Sequence, residues 1–356
     1  MDFSLDELQR ELVDLARQVL RRGTTPERLA GIEASGERLD RTLWRELVEA
    51  GLGAVGLAES AGGPGLGFFE TCLVLEEAGR CVAPVPIAAH ACGLLALQEA
   101  GANDAIASVT ADGGWLAASA RHDTGNTLQL TAGGLRGTLS LIPHAAGSRA
   151  LLVPARCDGE WRLVLLDTDA AGLRLEPQLS TSLEPCARLQ ADGVAARPIG
   201  TPALLPWLAE RLSVAACALQ AGVVAEALDM STRYVAEREQ FGVKIGSFQS
   251  VNHRLADCFI DLMNLRLLVQ AAASRLDREA RATLDVLAAR NWSAEAGHRV
   301  LASCQHVHGG IGHDRSYGLW RYALAARHLE LLHGGCSATI AALGAEIARD
   351  PAAAIL

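Results

Sequence analysis

The stretch 234-YVAEREQFGVKIGSFQS-250 is the part of this sequence that decides its fold. A charged segment around Arg238 runs into a phenylalanine and a glycine, Phe241 and Gly242, which favour a break rather than a continuing helix. A second aromatic residue beside an amide, Phe248 and Gln249, then opens the next segment. The pattern indicates two helices separated by a short break.

Apolar residues repeat at helical spacing on both sides of this break. The first stripe consists of Leu212, Ala216, Leu219, Val223, Ala227, Met230 and Tyr234, and the second of Leu255, Cys258, Leu262, Leu265, Val269 and Ala272. Residues 291–308 and 319–332 supply two more helical segments. Together they predict a C-terminal four-helix bundle over residues 203–356 that mediates oligomerisation. Small residues in this region allow close helix approach, namely Ala215, Ala216, Ala218, Ala221 and Gly222. An apolar face wider than one monomer can cover is expected to be buried between subunits.

In the part of the chain before the bundle, the spacing of apolar residues changes once, from a helical to a strand-like pattern. Leu5, Leu8, Leu12 and Leu15 recur at intervals of three and four, which predicts a helical N-terminal domain over residues 1–103. Between residues 104 and 202, short runs such as TLQLTA, RALLVPA and WRLVLLDTD lie between glycine-containing turns and predict a β domain. The predicted fold class is therefore mainly α with a central β domain.

Charge and composition exclude several classes of protein. The net charge is −9 and the chain has no basic tract, which argues against a nucleic-acid-binding surface. No run approaches the roughly 18 apolar residues of a membrane span, and the start MDFSLDELQRELVDLARQVL is an acidic amphipathic pattern rather than a signal peptide. These two features predict a soluble cytoplasmic protein. The nine cysteines show no CxxC pair and no Cys/His ligand spacing, so we expect mostly reduced, buried thiols and no metal site.

Two C-terminal motifs resemble those of the acyl-CoA dehydrogenase family. They are YVAEREQFGVKIGSFQSVNHRLAD after the first long helix and QHVHGGIGHDRSYGLWRY before the last. The stretch LWRELVEAGLGAVGLAESAGGPGLG extends the resemblance into the N-terminal domain, so that it covers nearly the whole chain. The resemblance implies FAD as cofactor, an acyl-CoA thioester as substrate, dehydrogenation between its α and β carbons, and a dimer or tetramer.

The resemblance also implies roles for five residues. Arg238 would bind the FAD pyrophosphate across a dimer interface, where a guanidinium makes bidentate bonds to phosphate oxygens. Phe241 would pack against the adenosine half and Gln249 would hydrogen-bond to it, while Gly309 and Gly310 would let the backbone approach the dinucleotide closely.

Each of these residues also has a purely structural interpretation. Arg238 could pair with the adjacent Glu237 or Glu239 at a helix end. Under the same interpretation Phe241 would be a core aromatic residue, as would Phe248, and the two glycines would only cap a helix C-terminus.

The glutamate that serves the family as base for the α-proton is absent from this sequence. Its position falls on His333, which is either the base or a polar residue at a helix end. The family's other location falls on Leu212, and Glu210 lies about 200° away from it around a helix. A third position, sometimes a carboxylate in the family, is Ser316.

The β domain departs from the family pattern as well, since LAASARHDTGNTLQL has neither the acidic glycine- and serine-containing loop nor the Trp-x-Thr strand. The segment GGIGHDRSYGLWRYALAARHLELLHGG is similar to short subunits of bacterial α₂β₂ acyl-CoA dehydrogenases, which act on steroid side-chain or related bulky thioesters. That similarity implies a second dehydrogenase-like subunit that carries the glutamate. Two alternatives stay open: a self-sufficient flavoenzyme that uses His333 or another base, and a structural homologue without flavin.

Overall fold

The structure is a computed structural model that describes residues 3–122, 127–278, 281–332 and 334–351. It divides into two compact units. The helical unit comprises Met1–Pro26, Cys72–Ala83 and Ser213–Leu356, and the sheet unit comprises Glu27–Thr71 and Pro84–Leu212.

The helices follow one another in chain order as α1 (Glu7–Gly23), α2 (Pro26–Ala34), α3 (Arg41–Glu49), α4 (Phe68–Arg80), α5 (Ile87–Glu99), α6 (Asn103–Thr110), α7 (Leu204–Glu237), α8 (Gln249–Asp277), α9 (Thr283–His308), α10 (Leu319–Leu331) and α11 (Gly335–Arg349). The strands are β1 (Leu116–Ala118), β2 (Leu128–Thr131), β3 (Gly134–Pro143), β4 (Ala150–Cys157), β5 (Glu160–Asp167), β6 (Leu173–Leu179), β7 (Pro185–Val194), β8 (Arg197–Ile199), β9 (Glu239–Gln240) and β10 (Val243–Lys244).

Close packing against α7 organises the helical unit. A Cβ atom on Gly222 would lie 1.9 Å from the carbonyl oxygen of Glu76, and one on Gly79 would lie 2.1 Å from that of Leu219. Only glycine permits α4 and α7 to approach so closely at these two points. Gly222 is therefore one of the small residues on α7 that allow close helix packing, as the sequence predicted.

A group of charged side chains joins α1, α4 and α7 within the helical unit. The buried carboxylate of Glu226 lies 3.2 Å from Arg21, 3.7 Å from Arg80 and 3.3 Å from Arg233. Arg80 also pairs with Asp229 at 2.6 Å. Because a buried carboxylate needs charged or hydrogen-bonding partners, this group sets how the three helices align.

The sheet unit is built on one mainly antiparallel sheet. Over the described residues the strand order is β6-β7-β3-β2-β4-β5-β8, and β1 pairs with β4. The pairings of β1 and β2 with β4 are parallel, whereas β4 and β5 are antiparallel. Buried side chains from several strands form its core, among them Leu128, Leu139, Leu151, Val153, Val164 and Leu189.

The order of elements is the predicted one: helices up to α6, strands β1 to β8, then long helices from α7 onward. The proposed boundaries at 103/104 and 202/203 stay predictions. Helix α11 follows the four helical segments that the sequence indicated.

Among the described residues, α7 (Leu204–Glu237) and the stretch that contains α10 and α11 (Leu319–Arg349) are long and apolar enough to cross a membrane by length and composition alone. In the first, 83% of the apolar window is buried inside the protein, so this helix is a core helix. The apolar window of the second is 12% buried.

Candidate functional site

The segment after α7 forms a short hairpin that carries Arg238. The Arg238 amide donates to the carbonyl oxygen of Tyr234 at 2.9 Å, which continues the helical hydrogen bonding by one residue. Strands β9 and β10 then pair antiparallel, and the Ile245 amide donates to the Arg238 carbonyl oxygen at 2.9 Å. The backbone on both sides of Arg238 is therefore fixed while its side chain is exposed.

The structural interpretation of Arg238 as an ion-pair partner of its neighbours does not hold. Glu239 pairs instead with Lys244, at 2.7 Å. Within the part of the chain that the structure describes, no carboxylate forms an ion pair with Arg238. Lys244 also donates to the Glu237 carbonyl oxygen at 3.0 Å. The exposed guanidinium of Arg238 can therefore bind an anionic ligand without first breaking an ion pair among the described residues.

Phe241 lies at the tip of the hairpin in an unusual backbone conformation. Its φ is +55° and that of Gly242 is +79°, which is the pattern of a type I′ turn. A bulky residue rarely adopts positive φ, because its Cβ meets the following carbonyl oxygen. The side chain is 94% exposed, and its ring lies edge to face with the ring of Phe248, at 6.3 Å between ring centroids. The interpretation of Phe241 as a core residue is therefore wrong.

Gln249 is the first residue of α8 and is exposed. Phe248 precedes it as the N-cap and makes no side-chain capping bond. The Val251 and Asn252 amides donate to the Phe248 carbonyl oxygen at 3.0 Å. The amides of Gln249 and Ser250 have no acceptor within the helix, so they present backbone donors beside the Gln249 side chain.

Gly309 and Gly310 end α9 on the same unit. Gly309 is the C-cap, with φ +62° and ψ −141°, a combination that only glycine adopts readily. A Cβ atom at either position would meet nothing within 4 Å. The interpretation of Gly309 as a helix cap is thus correct, but the open space at Gly310 is also what a closely approaching ligand requires.

A buried histidine joins these two segments, and sequence reasoning did not assign it a role. The ring of His308 stacks on Tyr234 with centroids 4.3 Å apart and planes inclined by 22°. Its Nδ1 lies 2.7 Å from the Cys304 carbonyl oxygen, and its Nε2 lies 3.1 Å from the Tyr317 hydroxyl. Burial lowers the pKa of His308, and burial likewise raises that of Tyr317, so both side chains are neutral near pH 7.

Two members of this cluster lie close to the motif residues along the chain. Tyr234 lies four residues before Arg238, and His308 lies directly before Gly309. The stack therefore brings the Arg238 hairpin and the Gly309–Gly310 turn to the same end of the helical unit.

The candidate base positions are only partly described. His333 lies outside the described residues. Leu212 and Glu210 are half-buried on α7, and Ser316 is exposed, with its amide donating to the Asp314 carboxylate at 2.8 Å. In the β-domain stretch LAASARHDTGNTLQL, residues 123–126 are likewise outside the described residues.

Metal ligands do not gather in the described structure. Over residues 3–122, 127–278, 281–332 and 334–351, no group of three or more His, Cys, Asp or Glu side chains could hold a metal ion. All nine cysteines are free, and eight of them are buried.

Both helical regions match family profiles. The profile of the acyl-CoA dehydrogenase N-terminal domain matches residues 6–107, and that of the C-terminal domain matches residues 207–347. The acyl-CoA dehydrogenase FadE27 of Mycobacterium tuberculosis is 34% identical, over 99% of this chain and 100% of its own. FadE28 of the same bacterium is 29% identical, over 97% and 98% of the two chains.

Solved structures agree along the full length. A chain of the ChsE4-ChsE5 complex from Mycobacterium tuberculosis superposes with a TM-score of 0.92 at 33% identity, covering 99% of this chain and 100% of that one. A chain of a variant of the Tcur3481-Tcur3483 steroid ACAD gives a TM-score of 0.91 at 38% identity, covering 97% and 99%. The predicted fold class is confirmed, and the chain belongs to the acyl-CoA dehydrogenase family, whose members are FAD-dependent oxidoreductases acting on CH–CH bonds.

Proposed function

We propose that this chain is the FAD-binding subunit of a heteromeric acyl-CoA dehydrogenase, and that a partner subunit supplies the base. The observation that carries the proposal is the exposed guanidinium of Arg238, which has no carboxylate partner in the described structure and stands beside an exposed aromatic ring at positive φ. Backbone strain of this kind persists where the surrounding structure enforces it, and it concentrates at ligand sites.

The residues present fit a dinucleotide. Arg238 supplies the positive charge and planar donor set that suit a pyrophosphate. Gly310 has open space where a side chain would otherwise stand, and the start of α8 adds backbone donors beside Gln249. Phe241 offers an exposed ring for packing against the adenosine half. FAD, when bound, would accept the β-hydrogen of the substrate as a hydride.

The need for a partner rests on the sequence and on an exposed apolar surface. No glutamate occupies the family's usual base position, which is His333 here. Along α8, large apolar side chains are exposed, namely Phe259, Ile260, Met263 and Leu267. Such a stripe on a soluble protein marks a protein interface. One similar chain belongs to the ChsE4-ChsE5 complex and another to the Tcur3481-Tcur3483 steroid ACAD, which supports a two-component assembly for this chain.

The substrate and the compartment follow as parts of the same proposal. One similar structure is described as a steroid ACAD, which supports a steroid side-chain thioester or a similarly bulky acyl-CoA as substrate. Nine free cysteines agree with a reducing compartment, and we place the assembly in the cytoplasm.

Substitution of Arg238 tests the proposal. In the purified assembly, Arg238→Gln removes a charge-assisted contact worth roughly 1.5 to 3 kcal/mol, so FAD should bind about 10- to 150-fold more weakly. Arg233→Gln is the matched control, because Arg233 is also exposed on α7 but pairs with Glu226 at 3.3 Å. Flavin per assembly, measured after denaturation, and affinity, measured by flavin fluorescence, give the result.

Unchanged flavin affinity in Arg238→Gln would remove Arg238 from the site. If Arg238→Gln and Arg233→Gln weaken FAD binding equally, the effect comes from general surface charge. That result would also contradict the proposal.

A further inference from the structure

The two candidate FAD-binding segments have little packing of their own. Phe241 is almost fully exposed, and a Cβ atom on Gly242, Gly309 or Gly310 would meet nothing within 4 Å. Their positions must therefore be set by the residues that anchor them. On the hairpin side Tyr234 lies on α7 one helical turn before Arg238, and on the other side His308 directly precedes Gly309.

These anchors touch each other directly. Tyr234 and His308 stack at 4.3 Å, and Tyr317 stands against both, with ring centroids 6.3 Å from Tyr234 and 5.2 Å from His308. The contacts span residues that are 74 positions apart along the chain, so they join α7 to the end of α9. The cluster is thus a direct connection between the Arg238 hairpin and the Gly309–Gly310 turn.

The hydrogen bonds define the orientation of the His308 ring. With Nδ1 protonated, His308 donates to the Cys304 carbonyl oxygen at 2.7 Å, and its Nε2 accepts from the Tyr317 hydroxyl at 3.1 Å. Both ring nitrogens are then satisfied in a side chain that is 4% exposed. The ring cannot rotate without losing one of these bonds, so its stacking face toward Tyr234 is fixed.

We propose that His308 and Tyr317 are positioning residues, which hold the Arg238 hairpin and the Gly309–Gly310 turn at a fixed separation before FAD binds. The proposal rests on the proposed function, since it assigns both segments to one FAD site. Segments held in the bound geometry lose less conformational entropy on binding, and this raises affinity without any contact to the ligand.

A pair of tyrosine variants separates positioning from simple stability. Tyr317→Phe removes only the hydroxyl that holds His308. Tyr322→Phe removes a comparable hydroxyl in the same unit, which donates to the Arg80 carbonyl oxygen at 2.9 Å and has no part in the cluster. We expect both variants to lower the melting temperature of the assembly by similar amounts. Only Tyr317→Phe should weaken FAD binding, by about 3- to 10-fold, as loss of one hydrogen bond allows.

Variants of His308 provide a rescue. In His308→Gln the amide oxygen can still accept from Tyr317, whereas His308→Leu offers no acceptor. FAD affinity, read by flavin fluorescence rather than by activity, should fall less in His308→Gln than in His308→Leu. Equal affinities for those two variants would overturn the role of the hydrogen bond.

The outcomes distinguish the two proposals. If Arg238→Gln weakens FAD binding but Tyr317→Phe and Tyr322→Phe both leave it unchanged, the positioning role is wrong and the proposed function stands. If Tyr317→Phe and Tyr322→Phe weaken it equally, the effect follows stability and the positioning role is again wrong. If the wild-type assembly does not bind FAD, both proposals fail.

Discussion

At the scale of single residues, His90 is a titratable side chain held neutral inside the sheet unit. It is 2% exposed, its Nδ1 accepts from the Leu116 amide at 3.0 Å, and its ring meets Trp44 edge to face at 4.9 Å. Burial lowers its pKa to about 3. The hydrogen bond fixes the start of β1 against α5, so a charge on this ring would disturb the packing between helix and sheet.

Acid should therefore destabilise the protein through His90. The unfolded chain takes up a proton below about pH 6.5, whereas the folded ring resists protonation down to about pH 3. The stabilising contribution is complete above pH 6.5 and is lost as the pH falls, at up to about 1.4 kcal/mol per pH unit. His90→Asn, which can keep the acceptor for Leu116, should be less stable at pH 8 but lose less stability between pH 8 and pH 4.5.

Melting temperatures over that range, measured for both proteins, give the comparison. His308, whose pKa burial also lowers, is present in both proteins, so the difference isolates His90. Parallel pH dependences for wild type and His90→Asn would contradict the assignment.

At this scale the sequence predicted candidate residues that lie close together along the chain, but not contacts between distant residues. Arg238, Phe241 and Gln249 fall within twelve residues, so one motif placed all three as candidates. The partnership of Tyr234 with His308 could not be predicted, because it depends on how α7 packs against α9. The type I′ turn at Phe241 could not be predicted for another reason, since such turns rarely contain phenylalanine.

At the scale of elements, the β9–β10 hairpin carries the exposed Phe241 ring in a backbone conformation that lowers its stability. Phe241→Asn places the preferred Asn-Gly pair in the turn and should raise the free energy of unfolding by up to about 1 kcal/mol. It should also weaken FAD binding about 5- to 10-fold, because the aromatic contact is lost. Thermal unfolding and flavin titration of the same preparation measure the two effects.

Phe241→Tyr is the control for this substitution. It keeps the ring and the unfavourable backbone conformation, so neither stability nor affinity should change appreciably. A Phe241→Asn protein that binds FAD as tightly as wild type would show that the ring does not contact the cofactor.

The elements themselves were predictable where the apolar repeat was long. The stripe from Leu212 to Tyr234 lies on α7, and the stripe from Leu255 to Ala272 lies on α8. Helix α11 was not predicted, for two reasons. Gly334 and Gly335, both at positive φ, interrupt the apolar repeat before it. The helix also exposes apolar residues such as Ile340, so its sequence does not show a simple buried stripe.

At the scale of the whole molecule, the alternation of helical and strand periods was enough to predict the fold class. Periodicity reports which residues each element buries, and that information is local. The partner of an exposed surface is not local information. The exposed apolar residues of α8, of which Phe259 and Ile260 are more than half exposed, recur at the same helical spacing as buried residues do. Their spacing in the sequence therefore did not show whether they face the core of the chain or another protein.

The proposed function is tested by acyl-CoA oxidation, measured for the chain alone and for its assembly with a dehydrogenase-like subunit that carries the family's glutamate. Because a positioned base contributes about 10² to 10⁴ in rate, the chain alone should show little or no oxidation of a steroid side-chain thioester. The assembly should gain both flavin and turnover, and should keep them when His333→Gln is introduced. Robust turnover by the isolated wild-type chain that disappears in His333→Gln would contradict the proposed function, because the chain would then supply its own base.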